Sequence, residues 1–277
     1  ITAGFMGVEA SVGWFAGSLA LLADAGHMLS DAAALGLALL AQRIASRPRS
    51  HERTFGSRRA EVLAAFVNGI ALGVAALFIV HEAVERLLSP VAVRGGWLLV
   101  TAVGGLVANL LSAAVLRSGT EHNANTRAAY LHVLSDALGS VGAMVAGVLV
   151  MVFGLRRADP VVSLFIAALI LWGAWRLVRE TATVLMEGSP EHVDVAALEQ
   201  TIRSVPGVCE VHDLHAWTIS DGFHAVSAHV VLDGARHGTE VVAEAARAIR
   251  ERHGIDHVTL QPEAPAPGLV QIRLPKR

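Results

Sequence analysis

Five stretches of this chain are too long and too apolar to fold as anything but helices in a lipid bilayer. Leu19–Arg43, Ala60–Val84, Trp97–Leu116, Thr126–Phe153 and Pro160–Val178 each approach or exceed the roughly 20 residues that cross a hydrocarbon layer. With no water to satisfy peptide groups there, such a run must pair its N–H and C=O groups within itself, as a helix does. A sixth run, Ile1–Phe15, is short of a full crossing, so the natural chain is expected to start further upstream. Composition agrees: mean hydropathy is +0.52, and only 17% of residues are charged where a soluble domain carries about a quarter.

The turns between runs are readable. Gly17-Ser18 predicts a tight turn with Ser18 capping the second span, and Asp159-Pro160 predicts a cap and a first-turn proline for the sixth. Arg43, Arg47, Arg49, Arg53, Arg58 and Arg59 crowd the loop between spans two and three, whereas the turn before span two has no basic residue. By the positive-inside bias that loop is cytoplasmic, and six spans then put both chain ends on the same side. No basic leader or cleavage site precedes the first run. Cys209 is the single cysteine, so a disulfide framework and a cysteine-rich zinc knuckle are excluded, and metal chemistry must use His, Asp and Glu. A net charge of −2 with Lys276 the only lysine leaves no basic footprint for nucleic acid.

Inside these apolar runs stand two matched pairs. His27 and Asp31 are four residues apart in span two, and His132 and Asp136 repeat the spacing in span five. On a helix, positions i and i+4 share a face, so two adjacent helices can turn two imidazoles and two carboxylates toward one point. That is a ligand set Zn²⁺ accepts in tetrahedral geometry. Ionisable groups at this depth cost at least a few kcal/mol each and need compensation. They could simply hydrogen-bond to one another across the helices, but packing does not require the same residue types at the same spacing twice. One divalent ion neutralises Asp31 and Asp136, and protons compete with metal for the imidazole nitrogens, which is a physical basis for exchanging metal against protons. His132 falls near the start assigned to span five, so that helix is expected to begin in the cytosol or to tilt. Asp24 shares the face of His27 and is a candidate acceptor for its imidazole. Glu9, Asn68 and Asn109 read as interhelical hydrogen-bond partners.

After Glu187-Gly188-Ser189-Pro190 the composition becomes that of a soluble domain. Val195–Val205 is periodic as a helix, Val208–Ile219 and His224–Leu232 are β-rich runs around a Ser220-Asp221-Gly222 hairpin signal, Thr239–His253 is an amphipathic helix, and His257–Gln261 is a last short strand. The order α-β-β-α-β predicts a small open α+β sheet with helices on one face. The expected organisation is a membrane domain over 1–187, a cytoplasmic domain over 188–264 and a Pro-rich tail over 265–277.

Four ordered motifs then stand out: Gly17 to Asp31 (GSLALLADAGHMLSD), Phe55 to Glu61 (FGSRRAE), Arg127 to Asp136 (RAAYLHVLSD) and Val211 to Trp217 (VHDLHAW). Together they resemble the cation diffusion facilitator family, in its zinc-transporting branch, over essentially the whole chain. The resemblance implies a homodimer of six-helix transmembrane subunits in the lipid bilayer, each with a C-terminal cytoplasmic α+β domain of ferredoxin-like, metallochaperone-like fold. It implies an integral protein of a bacterial or archaeal cytoplasmic membrane that exports Zn²⁺ in exchange for H⁺ by alternating access. The family's transport site falls on His27, Asp31, His132 and Asp136, and His rather than Asp at the first position is associated there with Zn²⁺ over Cd²⁺. A second family site in the loop between spans two and three keeps only His51, with Arg53 and Ser57 where some members have histidines. In the cytoplasmic domain His212 and His229 match metal-binding positions, with His215, His237, His257, Gln261 and Glu263 as further candidates; alternatively these are polar residues of a dimer interface. Arg59 and Glu187 match a hinge salt bridge.

Three functional classes compete. A secondary transporter uses every feature above. An intramembrane zinc enzyme needs an open coordination position, which two His and two Asp would close, and there is no His-Glu-x-x-His. A membrane-anchored zinc sensor would leave the two intramembrane pairs without purpose. Cd²⁺, Co²⁺, Fe²⁺ and Mn²⁺ stay open as further cargo, the last two disfavoured at imidazole by the Irving–Williams order.

Overall fold

A computed structural model of the chain describes residues 2–45, 48, 50–117 and 124–265. The tail expected over 265–277 lies outside the described residues except for its first position. The chain divides into two compact units, Ile1–Arg43 with Ala64–Arg179, and Ile44–Leu63 with Glu180–Arg277.

The first unit is built from six helices: α1 (Thr2–Ala16), α2 (Leu19–Ala45), α3 (Arg59–Leu88), α4 (Gly95–Arg117), α5 (Ala124–Phe153) and α6 (Ala158–Leu185), of which α2, α3 and α6 run on into the second unit. Among the described residues, five contain segments long and apolar enough to cross a membrane. Helix α5 is 30 residues long, more than a crossing needs. Large apolar side chains such as Phe78, Leu111, Phe165, Trp172 and Trp175 face outward, as lipid-facing residues do.

The first turns of α2 join two buried clusters. Ala20 and Leu21 pack into a cluster with Leu98 and Ala102 of α4 and Ala143 and Ala146 of α5. Ala23 packs into another with Ala76 of α3 and Ile166 and Ile170 of α6. Small residues allow this close approach. A Cβ added to Gly95 would lie 2.9 Å from the Met151 nitrogen, and one on Gly147 would lie 3.0 Å from that of Leu99, so α4 and α5 meet backbone to backbone.

The start of α2 is pinned by long-range contacts. The Ser18 hydroxyl oxygen accepts from the Leu21 N–H at 3.3 Å, as a cap does. Asp159 does not cap its own helix, which begins one residue earlier at Ala158. Its fully buried carboxylate instead accepts from the Ser18 hydroxyl at 2.5 Å and from the Leu19 and Ala20 N–H groups at 2.8 and 3.3 Å. The positive end of the α2 dipole makes that the favourable place for a buried anion. Arg86 of α3 donates to the Gly17 carbonyl at 2.6 Å, where Gly17 turns with φ +69°.

In the second unit, α7 (Val195–Arg203) is capped by Asp194, which accepts from Ala196 N–H at 2.9 Å. Strands β1 (Val208–Ser220) and β2 (Phe223–Leu232) form an antiparallel hairpin, and β3 (His257–Glu263) joins β2 in parallel, giving the order β1-β2-β3. Helix α8 (Gly238–His253) makes the crossover, stopped by Gly254 at φ +68°. Leu198, Ile202, Val226, Val230, Val241, Ala245, Ile249 and Ile255 form the core between helices and sheet. The strand expected to stop at Gln261 continues through Pro262 to Glu263. Proline cannot donate to a ladder, but β3 is an edge strand and tolerates it.

Replacing Asp159 with Ala strands buried donors at the start of α2, and the combined loss of a cap and of buried partners amounts to about 2–3 kcal/mol. The melting temperature of the detergent-solubilised variant should fall by several degrees, with Asp159→Asn intermediate; an unchanged melting temperature contradicts the pinning role.

Candidate metal centres

The intramembrane pairs come from α2 and α5. His27, half-buried, lies with Nε2 3.7 Å from Oδ1 of Asp136. That is too long for a hydrogen bond. It is close to the roughly 3.3 Å separating two ligands of one tetrahedral zinc with bonds of about 2.05 Å. The positions of Asp31 and His132 follow from the helices, one turn beyond His27 and one turn before Asp136; their side chains lie outside the described ones.

Around this pair sits a buried polar shell. The Ser140 hydroxyl donates to the Asp136 carbonyl at 3.2 Å, and Asn109 of α4 donates to Ser140 at 3.4 Å. Glu9 of α1 and Asp24 of α2 are both buried, 1% and 5% exposed.

The second centre lies on the sheet. His212 of β1 pairs directly with His229 of β2, and His229 with Gln261 of β3, so one row across three strands carries them. Glu263, two residues on, points from the same face and reaches back: Oε2 is 3.0 Å from His212 Nε2, and Oε1 is 2.7 Å from His229 Nδ1. Ligand atoms of His212, His229 and Glu263 all lie within 4.8 Å of one another, the one such group of three among the described residues. Hydrogen bonding from His212, with further help from His229 and Gln261, holds the Glu263 carboxyl below its ordinary value despite some desolvation. Gln261 donates to Glu263 at 3.1 Å and steadies it.

The other candidates fall elsewhere. His215, exposed, is 2.9 Å from Oδ1 of Asp213, whose Oδ2 lies 3.8 Å from His229 Nε2. Asp213 sits at φ +50°, where the β1 ladder slips register between His212 and His215, and this turns its carboxylate toward the cluster. The motif contained Asp213, but the irregularity that aims it has no sequence signal. His237 is exposed ahead of α8, and its side chain makes no cap hydrogen bond. His257 lies at the opposite end of the sheet from Glu263, in contact with Phe55 and Phe223. His51 is exposed, and the neighbouring positions Arg53 and Ser57 are joined to each other, guanidinium to hydroxyl, at 2.9 Å. Arg59 and Glu187 form an ion pair at 3.0 Å.

Residues 1–186 match the cation efflux transmembrane domain, and residues 190–265 match the cytoplasmic domain of cation efflux proteins. The chain is 43% identical over 271 residues to the cadmium, cobalt and zinc/H(+)-K(+) antiporter of Bacillus subtilis, covering 95% of this chain and 86% of that protein. It is 43% identical over 265 residues to the zinc transporter ZitB of Escherichia coli, with 95% and 84% covered. It is 39% identical over 262 residues to the metal cation efflux system protein CzcD of Cupriavidus metallidurans, with 94% and 83% covered. With both of its domains matched and these identities spanning nearly its whole length, the chain belongs to the cation efflux family of integral membrane transporters.

Proposed function

We propose that this protein exports Zn²⁺ from the cytoplasm in exchange for protons, with His27, Asp31, His132 and Asp136 as the site that carries the ion. The observation that supports this most is the approach of His27 and Asp136 from two different helices to a ligand-to-ligand distance inside the membrane unit. One zinc ion between them offsets both carboxylates, and protons taken by the same groups offset them after the ion leaves. Either loaded form is close to neutral, which is what a group crossing a low-dielectric region requires. The names of the Bacillus and Escherichia relatives, a zinc/H(+)-K(+) antiporter and a zinc transporter, support the cargo and the counter-ion.

In this reading the arginine loop and both chain ends face the cytoplasm, and two subunits associate, as the matched cytoplasmic domain favours. The organisation is a membrane domain over 1–187 and a cytoplasmic domain over 188–264. His212, His229 and Glu263 hold a zinc ion drawn from the cytosol, with Asp213 near enough to join. Metal binding there stabilises the folded sheet by mass action. Glu263, held ionised into more acidic solution than an ordinary carboxylate, stays ready as a ligand at neutral pH.

In proteoliposomes with an imposed pH gradient, the intact chain should accumulate zinc, while Asp136→Ala falls to the level of empty vesicles with an unchanged melting temperature. Flux that persists without Asp136 defeats the site, and absence of flux in the intact chain defeats the exchange. For the cytoplasmic cluster, titration calorimetry should show Glu263→Gln weakening zinc binding by about tenfold, the factor 1.4 kcal/mol of lost coordination gives. His229→Ala should weaken it as well, because a second of the three grouped ligands is then missing. An affinity indifferent to both changes removes the cluster as a zinc site.

A further inference from the structure

Between His51 and Arg59 the connection from α2 to α3 is polar apart from one large apolar residue, Phe55. Its ring is not turned into a core of the loop's own making. It meets His257 edge to face, with centroids 5.3 Å apart and planes at 78°, and meets Phe223 at 6.5 Å and 63°. Phe223 and His257 contact each other at 5.9 Å, so the three rings form a closed triangle. These are the spacings and angles at which the ring quadrupoles attract. Three residues on, the Arg58 guanidinium lies 4.5 Å above the Phe223 ring, within range of a cation–π contact. Elsewhere the loop stands off β1, leaving a cavity of about 1060 Å³ between Arg53, Phe55 and Arg59 on one side and Leu214, His215 and Trp217 on the other. The attachment is therefore discrete rather than a broad packed face.

Phe223 and His257 are the first residues of β2 and β3, and these strands stay paired from Ala225–His257 to Val231–Glu263. The same two strands that carry His229 and Glu263 at one end thus hold Phe55 at the other. Six residues separate Phe223 from His229, about 20 Å along an extended strand. The loop in turn runs directly into α2, which carries His27 and Asp31, and into α3.

Resting on the transport reading above, we propose that Phe55 is a positioning residue of the transport cycle. It latches the loop between α2 and α3 to the end of the cytoplasmic sheet, so that zinc binding at His212, His229 and Glu263, which steadies β2 against β3, is delivered to the helix that carries the intramembrane ligands. Within the loop Arg53 donates to Ser57, and the loop is anchored through rings. Losing one ring contact shifts an equilibrium roughly two- to tenfold.

The test is hydrogen–deuterium exchange on the full chain in nanodiscs, with and without zinc, read beside flux in proteoliposomes. In the intact chain, zinc should slow exchange of amides in 51–60. Phe55→Ala should speed that exchange by about tenfold and remove its response to zinc, while amides of the α7 and α8 core around Leu198 and Ile249 keep their protection, which separates release of the latch from unfolding. Zinc flux in the same variant should show a several-fold lower kcat at unchanged KM, and Phe55→Tyr, which keeps the ring, should restore both. Loop exchange that is equal in the intact chain and Phe55→Ala, or that ignores zinc in the intact chain, overturns the latch. An intact chain that moves no zinc overturns the transport reading instead, and the exchange data still decide the latch.

Discussion

A carboxylate or an imidazolium surrounded by hydrocarbon must be neutralised where it stands, and much of this structure follows from that requirement. His27 and Asp136 approach from different helices, and beside them Ser140 donates to the Asp136 carbonyl and accepts from Asn109. In the proposed reading a divalent cation complements the two aspartates, and protons complement them when it is gone.

The first turns of α2, which carries half of the proposed site, are held by their neighbours. Its apolar faces pack on α4 and α5 on one side and on α3 and α6 on the other. Its first turn is fixed by the buried Asp159 carboxylate and by Arg86 on the Gly17 carbonyl. In the cytoplasmic unit the row His212, His229, Gln261 is a product of strand register, and Glu263 closes the cluster only because β3 continues past Pro262.

Much of this was legible in the sequence. The apolar runs gave α2 to α6 within a few residues at most ends, because length and hydropathy are local properties, and the i, i+4 pairs include His27 and Asp136, which lie 3.7 Å apart. The α-β-β-α-β order and the facing of His212 with His229 followed from strand and turn patterns. Three things did not follow. Asp159 caps a helix about 140 residues away, so its local setting suggested a cap for its own helix instead. Pro262 read as the end of a strand, because nothing local shows that β3 is an edge. His257 read as a ligand by its residue type, whereas its position at the start of β3 sets it among rings.

The central claim is that α2 and α5 build one four-ligand zinc site, and X-ray absorption on bound zinc reports on it most directly. With the cytoplasmic cluster silenced by His212→Ala and His229→Ala, one equivalent of zinc on the full chain should show four nitrogen and oxygen neighbours at about 2.0–2.1 Å, with the outer-shell scattering of two imidazoles. That signal should disappear when Asp136→Ala is added. A spectrum with fewer than two imidazoles, or one unchanged by the loss of Asp136, would contradict the shared site.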